Sequence, residues 1–166
     1  MKKKIKFTFF KSLRFRIMVI LVIIGIVPSF IVKNVVVNSY ETRAVSIREV
    51  NLKNQCDILG NQLMKEDYLR EPDSDVINGE LSMLSAIYNG RILIINKDAK
   101  IIKDTYDIDV GKYALSEEVI QCFEGKSTAN YDDKNAYIEM TSPITKMDSN
   151  TIEGVMLVSI STSEIE

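Results

Sequence analysis

Hydrophobic and polar positions change their spacing several times along the chain, and each change marks an element. Residues Ile17 to Val32, IMVILVIIGIVPSFIV, contain no charged side chain and lie between Arg16 and Lys33. A helix rises about 1.5 Å per residue and a hydrocarbon core of about 30 Å needs roughly 20 residues, so the uncharged run alone falls short. Val35, Val36 and Val37 extend it. The long stems of Arg16 and Lys33 carry their charges to the headgroups, which gives a membrane-spanning helix over 17–37. Pro28 is compatible with that assignment, because a kink is tolerated where neighbours or a short 3₁₀ turn satisfy the freed carbonyl. From 38 to about 69 apolar residues recur at Val45, Leu52, Cys56, Leu59 and Leu63, one helical stripe, with Arg48, Glu49, Lys53 and Asp57 on the polar side. The span therefore continues as a long amphipathic helix ending near Pro72. Ile77, Leu81, Leu84 and Tyr88 share a face of a second helix, weakened near its start by Gly79.

After Asn89-Gly90 the period becomes that of strands. Residues 91–105 form a hairpin, with Ile92 to Ile95 apolar on both faces, a polar turn at Lys97-Asp98-Ala99-Lys100, and Ile101-Ile102 opening the second strand. A loop containing Asp104, Asp107, Asp109 and Gly111 leads to Ser116, an N-cap followed by Glu117 and Glu118 in the first turn of a short helix that ends near Gly125. Two further strands fit 127–132 and 136–142 around a turn at Asp133-Lys134-Asn135, and Gly154 to Ser161, GVMLVSIS, is again apolar on both faces. Strands buried on both sides belong in the middle of a sheet. Here those are the first and fifth, so the strand order is 2-1-5-4-3, in an α+β fold of PAS-like arrangement.

Charge divides with the span. Residues 1–16 hold seven bases and no acid, the asymmetry that retains a terminus in the cytoplasm. A buried core helix and a cleaved signal peptide are the competing assignments; no small-x-small cleavage site follows the run, which favours an uncleaved anchor in a plasma membrane with everything after about Val37 outside. Of the chain's 21 basic residues 13 lie beyond Lys33, together with all 23 acids, a formal charge of about −10 on the exported part. That excludes nucleic acid as a natural partner and makes cations or cationic molecules plausible ones. The domain organisation is thus a basic tail (1–16), a span (17–37), a long extracytoplasmic helix (38–69) and a globular domain (70–166).

The chain has no histidine. Ser-His and Cys-His nucleophile pairs, imidazole metal sites and a phosphoryl-accepting histidine are all excluded for these residues, and an exported enzyme has little support. No catalytic residue is assigned. Cys56 and Cys122 both fall in helices; spacing leaves open whether they bridge, and two buried thiols are favoured. No phosphate-cradling glycine loop is present. Asp104, Asp107 and Asp109 offer oxygen ligands to a divalent cation, though without EF-hand spacing, and solvated surface acids are the alternative. Tyr131, Asp132, Tyr137 and Glu139 on the third and fourth strands supply aromatic and polar groups for a small-molecule pocket, with cross-strand packing as the alternative. Arg91, opening the first strand, suits a carboxylate, from a ligand or from a strand-edge salt bridge.

Basic tail, single span, long helix, short helix and β-β-α-β-β-β resemble the extracytoplasmic PAS-like (Cache) sensor module of bacterial receptors. The stretches GRILIINKDAKIIKDTYDIDVGK, LSEEVIQCFEGK and EGVMLVSISTSEI are similar to the sensor regions of membrane-bound histidine kinases of two-component systems. Ala99 stands where this group often carries a glycine. The same input module is joined to chemotaxis receptors and cyclases, and a membrane-anchored structural or adhesive protein without output is a further alternative. The polar face of the long helix suits either packing against a domain or pairing with a second copy, and a signal-input module would use it as a homodimer; the resemblance implies a pocket on the sheet face carrying the third and fourth strands. It also implies that a second span, a HAMP linker and a kinase core follow in the parent protein. ATP and Mg would be cofactors, and a cytoplasmic response regulator a partner, only through that core.

Overall fold

The computed structural model describes residues 13–132, 135–146, 148–149 and 151–162, without side-chain detail at 34–39, 41 and 42. The basic tail up to residue 12 and the Asp133-Lys134 part of the expected turn lie outside the described residues. The chain divides into two units, Met1–Arg43 and Ala44–Glu166.

The described part of the first unit, residues 13–43, is helical. It belongs to α1, Leu13–Lys65, which continues through Pro28, and the Ser29 hydroxyl donates to the Gly25 carbonyl at 3.0 Å one turn back. Leu13–Lys33 is long and apolar enough to cross a membrane, with a mean hydropathy of 2.7 and none of it buried in the protein. Side chains such as Leu21, Ile24, Ile26 and Phe30 are exposed along it.

The second unit is built on a five-stranded antiparallel sheet of β1 (Gly90–Asn96), β2 (Ile101–Asp104), β3 (Ala129–Asp132), β4 (Tyr137–Thr145) and β5 (Ile152–Ser161), in the order β2-β1-β5-β4-β3. This is the α+β, PAS-like order expected from the two doubly buried strands, and β1 and β5 are indeed neighbours, antiparallel from Gly90↔Ile160 to Asn96↔Gly154. One sheet face packs under the part of α1 within this unit and under α2 (Asp75–Ile87). There Val45, Leu52, Cys56, Leu59 and Leu63 meet Ile77, Leu81, Leu84 and the inward residues of the sheet, Ile92, Ile94, Ile138, Met140, Met156, Val158 and Ile160. The periodic stripe of α1 is therefore the helix face that loses water, and all five of its members are buried. The opposite sheet face carries a smaller core under α3 (Glu117–Phe123), where Val119 and Cys122 contact Ile95, Ile101 and Val155. Cys56 and Cys122 are free, buried and on opposite sides of the sheet, which leaves no path for a bridge.

Two details differ from the periodicity. α1 ends at Lys65, four residues before Leu69, because the chain reverses through Asp67 at φ 52°. The reversal buries Tyr68, whose hydroxyl donates to Asn78 Oδ1 at 2.6 Å. Burial pushes that phenol up to about 12. β4 runs on to Thr145 through Pro143. Thr141 donates its N–H to the Thr128 carbonyl on the β3 side, so two residues further the missing donor of Pro143 points the same way, past the end of β3, where no ladder bond is lost. Both helix N-caps are serines, Ser74 accepting from the Ile77 amide and Ser116 from the Val119 amide.

The hairpin turn holds Ala99 at φ 58°, with Asn96 Oδ1 accepting from the Asp98 and Lys100 amides. A residue with a Cβ is strained in this left-handed region by about 1–2 kcal/mol, part of which glycine recovers after its larger loss of chain entropy. Ala99→Gly is expected to stabilise the domain by about 0.5–1 kcal/mol, read as a rise in Tm of about 2–5 °C by calorimetry. A fall in Tm would mean that the turn is not held in this conformation.

Candidate functional site

Strand register sorts the candidate residues by face. On the α3 side, Arg91 of β1 lies opposite Ser159 of β5, Ser159 opposite Glu139 of β4, and Glu139 opposite Asn130 of β3. The adjacent row on this face is Ser161, Tyr137 and Asp132. α3 covers only the other end of the face, around Ile95, Ile101 and Val155. The polar rows are left partly open, with Arg91, Ser159, Glu139 and Asp132 half-buried and Tyr137 36% exposed. Tyr131 lies opposite Ile138 and so belongs to the α1 side of the sheet. Adjacent residues of a strand point to opposite faces, so Tyr131 and Asp132 could not both line one pocket wall. The structure thus places Arg91, Asp132, Tyr137 and Glu139 on one sheet face, with two strands between Arg91 and Asp132, and puts Tyr131 on the other.

Arg91 is committed to an ion-pair cluster. Its Nε donates to Asp104 Oδ1 at 3.0 Å and its Nη2 to Asp104 Oδ2 and Asp109 Oδ2, both at 2.6 Å. Asp104 is fully buried. It also accepts the backbone amides of Tyr106, Ile108 and Asp109 at 2.9 Å each, which winds the loop after β2 around one carboxylate. Burial alone would raise the Asp104 pKa. The hydrogen bonds from Arg91 and the three amides outweigh it and hold the group far below the usual carboxylate range. The bond to Asp104 likewise raises Arg91 further, against the opposing effect of its burial. Asp109 is lowered by Lys112, whose Nζ lies 2.6 Å from Oδ1, and then by Arg91. The Arg91 guanidinium occupies the place between Asp104 and Asp109 that a cation would take. Asp107 faces away from it, 3.9 Å from Lys103 Nζ. Among the described residues no three acids, cysteines or histidines are grouped to hold a metal ion.

Periodicity missed Ser159 and Ser161. They alternate with Val158 and Ile160 at the end of a strand that reads as apolar on both faces, and that alternation is the signal that was available. Lys112 and Tyr106, which complete the Arg91 cluster at 2.6 Å from Asp109 and 6.0 Å from the guanidinium, come from a loop without periodic pattern. Elsewhere in this unit, a cleft of about 180 Å³ opens between α1 and α2, lined by Gln55, Ile58, Gln62, Glu80 and Met83. It contains none of the residues singled out from the sequence as candidate ligands.

No protein-family profile matches the chain, and no curated protein matches its sequence. Among solved structures, the chain is similar to the sensory domain of the Campylobacter jejuni chemoreceptor Tlp3 (CcmL) with isoleucine bound, at 14% identity and a TM-score of 0.49 over 77% of this chain and 57% of that one. It is also similar to the ligand-binding domain of the same chemoreceptor in complex with L-valine, at 14% identity and a TM-score of 0.48 over 77% of this chain and 58% of that one. The complex of that domain with 4-methylisoleucine gives 14% identity and a TM-score of 0.48, over 77% and 56% of the two chains. The chain therefore spans a little under three fifths of the length of these chemoreceptor domains.

Proposed function

We propose that the chain is the signal-input portion of a membrane receptor, with its N-terminus in the cytoplasm and the unit Ala44–Glu166 outside the cell. Following the resemblance of its strands and loops, we take that receptor to be a sensor histidine kinase. One observation carries the reading. The helix that contains the charge-free run Ile17 to Val32 also contributes Val45, Leu52, Cys56, Leu59 and Leu63 to the core under the sheet. The stripe in that core and the membrane-length segment belong to one helix, so a shift in the core acts on the same element that forms the span. The ligand contacts in this reading are Asp132, Tyr137 and Glu139 on the partly open face, beside the Arg91 ion-pair cluster, and a ligand acts by binding one packing of the domain better than another. Exposed Ile47 and Val50 on α1 suit pairing with a second copy.

Topology is the first test. Protease added to intact cells is expected to degrade the unit Ala44–Glu166 and leave a small membrane-embedded remnant containing residues 17–37. Full protection, or recovery of the unit in the medium without protease, would remove the receptor reading.

A further inference from the structure

Across the open end of the α3 face, β5 presents only the short side chains Ser159 and Ser161, between Arg91 of β1 on one side and Glu139 and Tyr137 of β4 on the other. Short residues flanked by long ones make a trough, and its two walls differ electrostatically. On the β1 wall the guanidinium of Arg91 faces two carboxylates, and Asp104, being fully buried, has nowhere to swing. With Lys112 on Asp109 the cluster sums to zero formal charge, so an incoming anion finds no net attraction there. On the β4 wall Glu139 is half-buried. Its Oε2 accepts from the Ser159 hydroxyl at 3.3 Å, and among the described residues it has no basic partner. Tyr137 occupies the next position on the same face, the residue 36% exposed.

We infer that this trough takes a small organic cation, a primary or secondary amine, with Glu139 as its counter-ion, the Ser159 hydroxyl as a second acceptor and the Tyr137 ring as a cation–π wall. This inference rests on the proposal that the domain senses a small molecule and adds the charge and chemical class of that molecule. A bare divalent ion is the poorer occupant. Calcium takes about 6–8 oxygen ligands, while Asp104 and Asp109 are consumed by Arg91 and Lys112 and Glu139 is left as one carboxylate among hydroxyls.

The test uses the full chain in lipid nanodiscs, titrated by calorimetry with propylamine, putrescine and choline as amine probes and with propionate and succinate as anions. Amines are expected to bind and to weaken as salt is added. Binding is expected to fall tenfold or more in Glu139→Gln, a near-isosteric change on a partly open surface, and severalfold in Tyr137→Leu. Both variants should keep the wild-type Tm in the absence of probe. Amine binding unchanged in Glu139→Gln, or binding of propionate and succinate in place of the amines, would overturn the charge assignment and leave the sensor reading standing. Failure of all five probes to bind would overturn the inference, while the sensor reading would then be judged by the protease experiment on its own.

Discussion

Asp104→Ala is expected to lower the unfolding free energy of the domain by about 3–5 kcal/mol, the range found when one partner of a buried ion pair is removed. The reason is the number of groups that depend on one side chain. The carboxylate is fully buried and accepts from Arg91 Nε and Nη2 and from the amides of Tyr106, Ile108 and Asp109. Alanine leaves three backbone donors to find water or go unbonded, at about 1–3 kcal/mol for each that stays buried. Arg91 keeps Asp109, which offsets part of the loss and places the expectation nearer the lower figure. Asp104→Asn retains one acceptor oxygen and should fall between. The pH dependence has a fixed sign. A carboxyl whose folded pKa lies below its unfolded value of about 3.9 stabilises the protein fully above that value, and the contribution is lost as pH falls toward the folded value. Urea unfolding should therefore show the largest gap between wild type and Asp104→Ala from about pH 5 upward, narrowing steadily below about pH 4. A gap that stayed constant into strong acid would mean that the charge on Asp104 contributes nothing.

The same residue shows where sequence reading stops. As one of three acids in a loop, Asp104 looked like a surface group or a metal ligand. Its burial depends on Arg91, 13 positions earlier, which no local pattern connects to it. The hairpin does carry a clue. Leu93 pairs with Asp104, which puts the acid on the same sheet face as Arg91, two residues from Leu93 on β1. That pairing depends on a register shift between Ile94 and Ile95, which counting along the chain cannot locate. The membrane-length run, the α1 stripe and the strand order were legible for the opposite reason. Each is a repeated choice of apolar residues made by burial on one side or on both, and repetition survives errors at single positions. The candidate site was half legible. Glu139 and Tyr137 stand out as polar residues alternating along β4, but grouping Tyr131 with Asp132 ignored the alternation that separates neighbours in β3. Tyr68 escaped because it is buried by a reversal at Asp67, beyond the end of the helical period.

Leu52→Ala should cost about 2–5 kcal/mol, and Ile58→Ala, on the same helix, no more than about 0.5 kcal/mol. Leu52 has no exposed surface and stands within the core formed by α1, α2 and the inward residues of the sheet, whereas Ile58 is 56% exposed. Truncating Leu52 removes its transfer energy and leaves a void that the neighbouring strand residues, fixed by their ladders, fill only in part. Truncating Ile58 removes surface that water already reaches. The comparison, made by urea unfolding of the full chain, tests whether the apolar stripe of α1 is held by the core. If α1 beyond Ala44 were a free stalk, both substitutions would act through helix propensity alone and both would be small, since alanine is the better helix former. If it is a wall of the core, only the buried position responds. The proposed function requires the second outcome. A packing change around the sheet reaches the membrane-length segment only if the helix leading there is held by that packing, and Leu52 is a point at which the hold is complete.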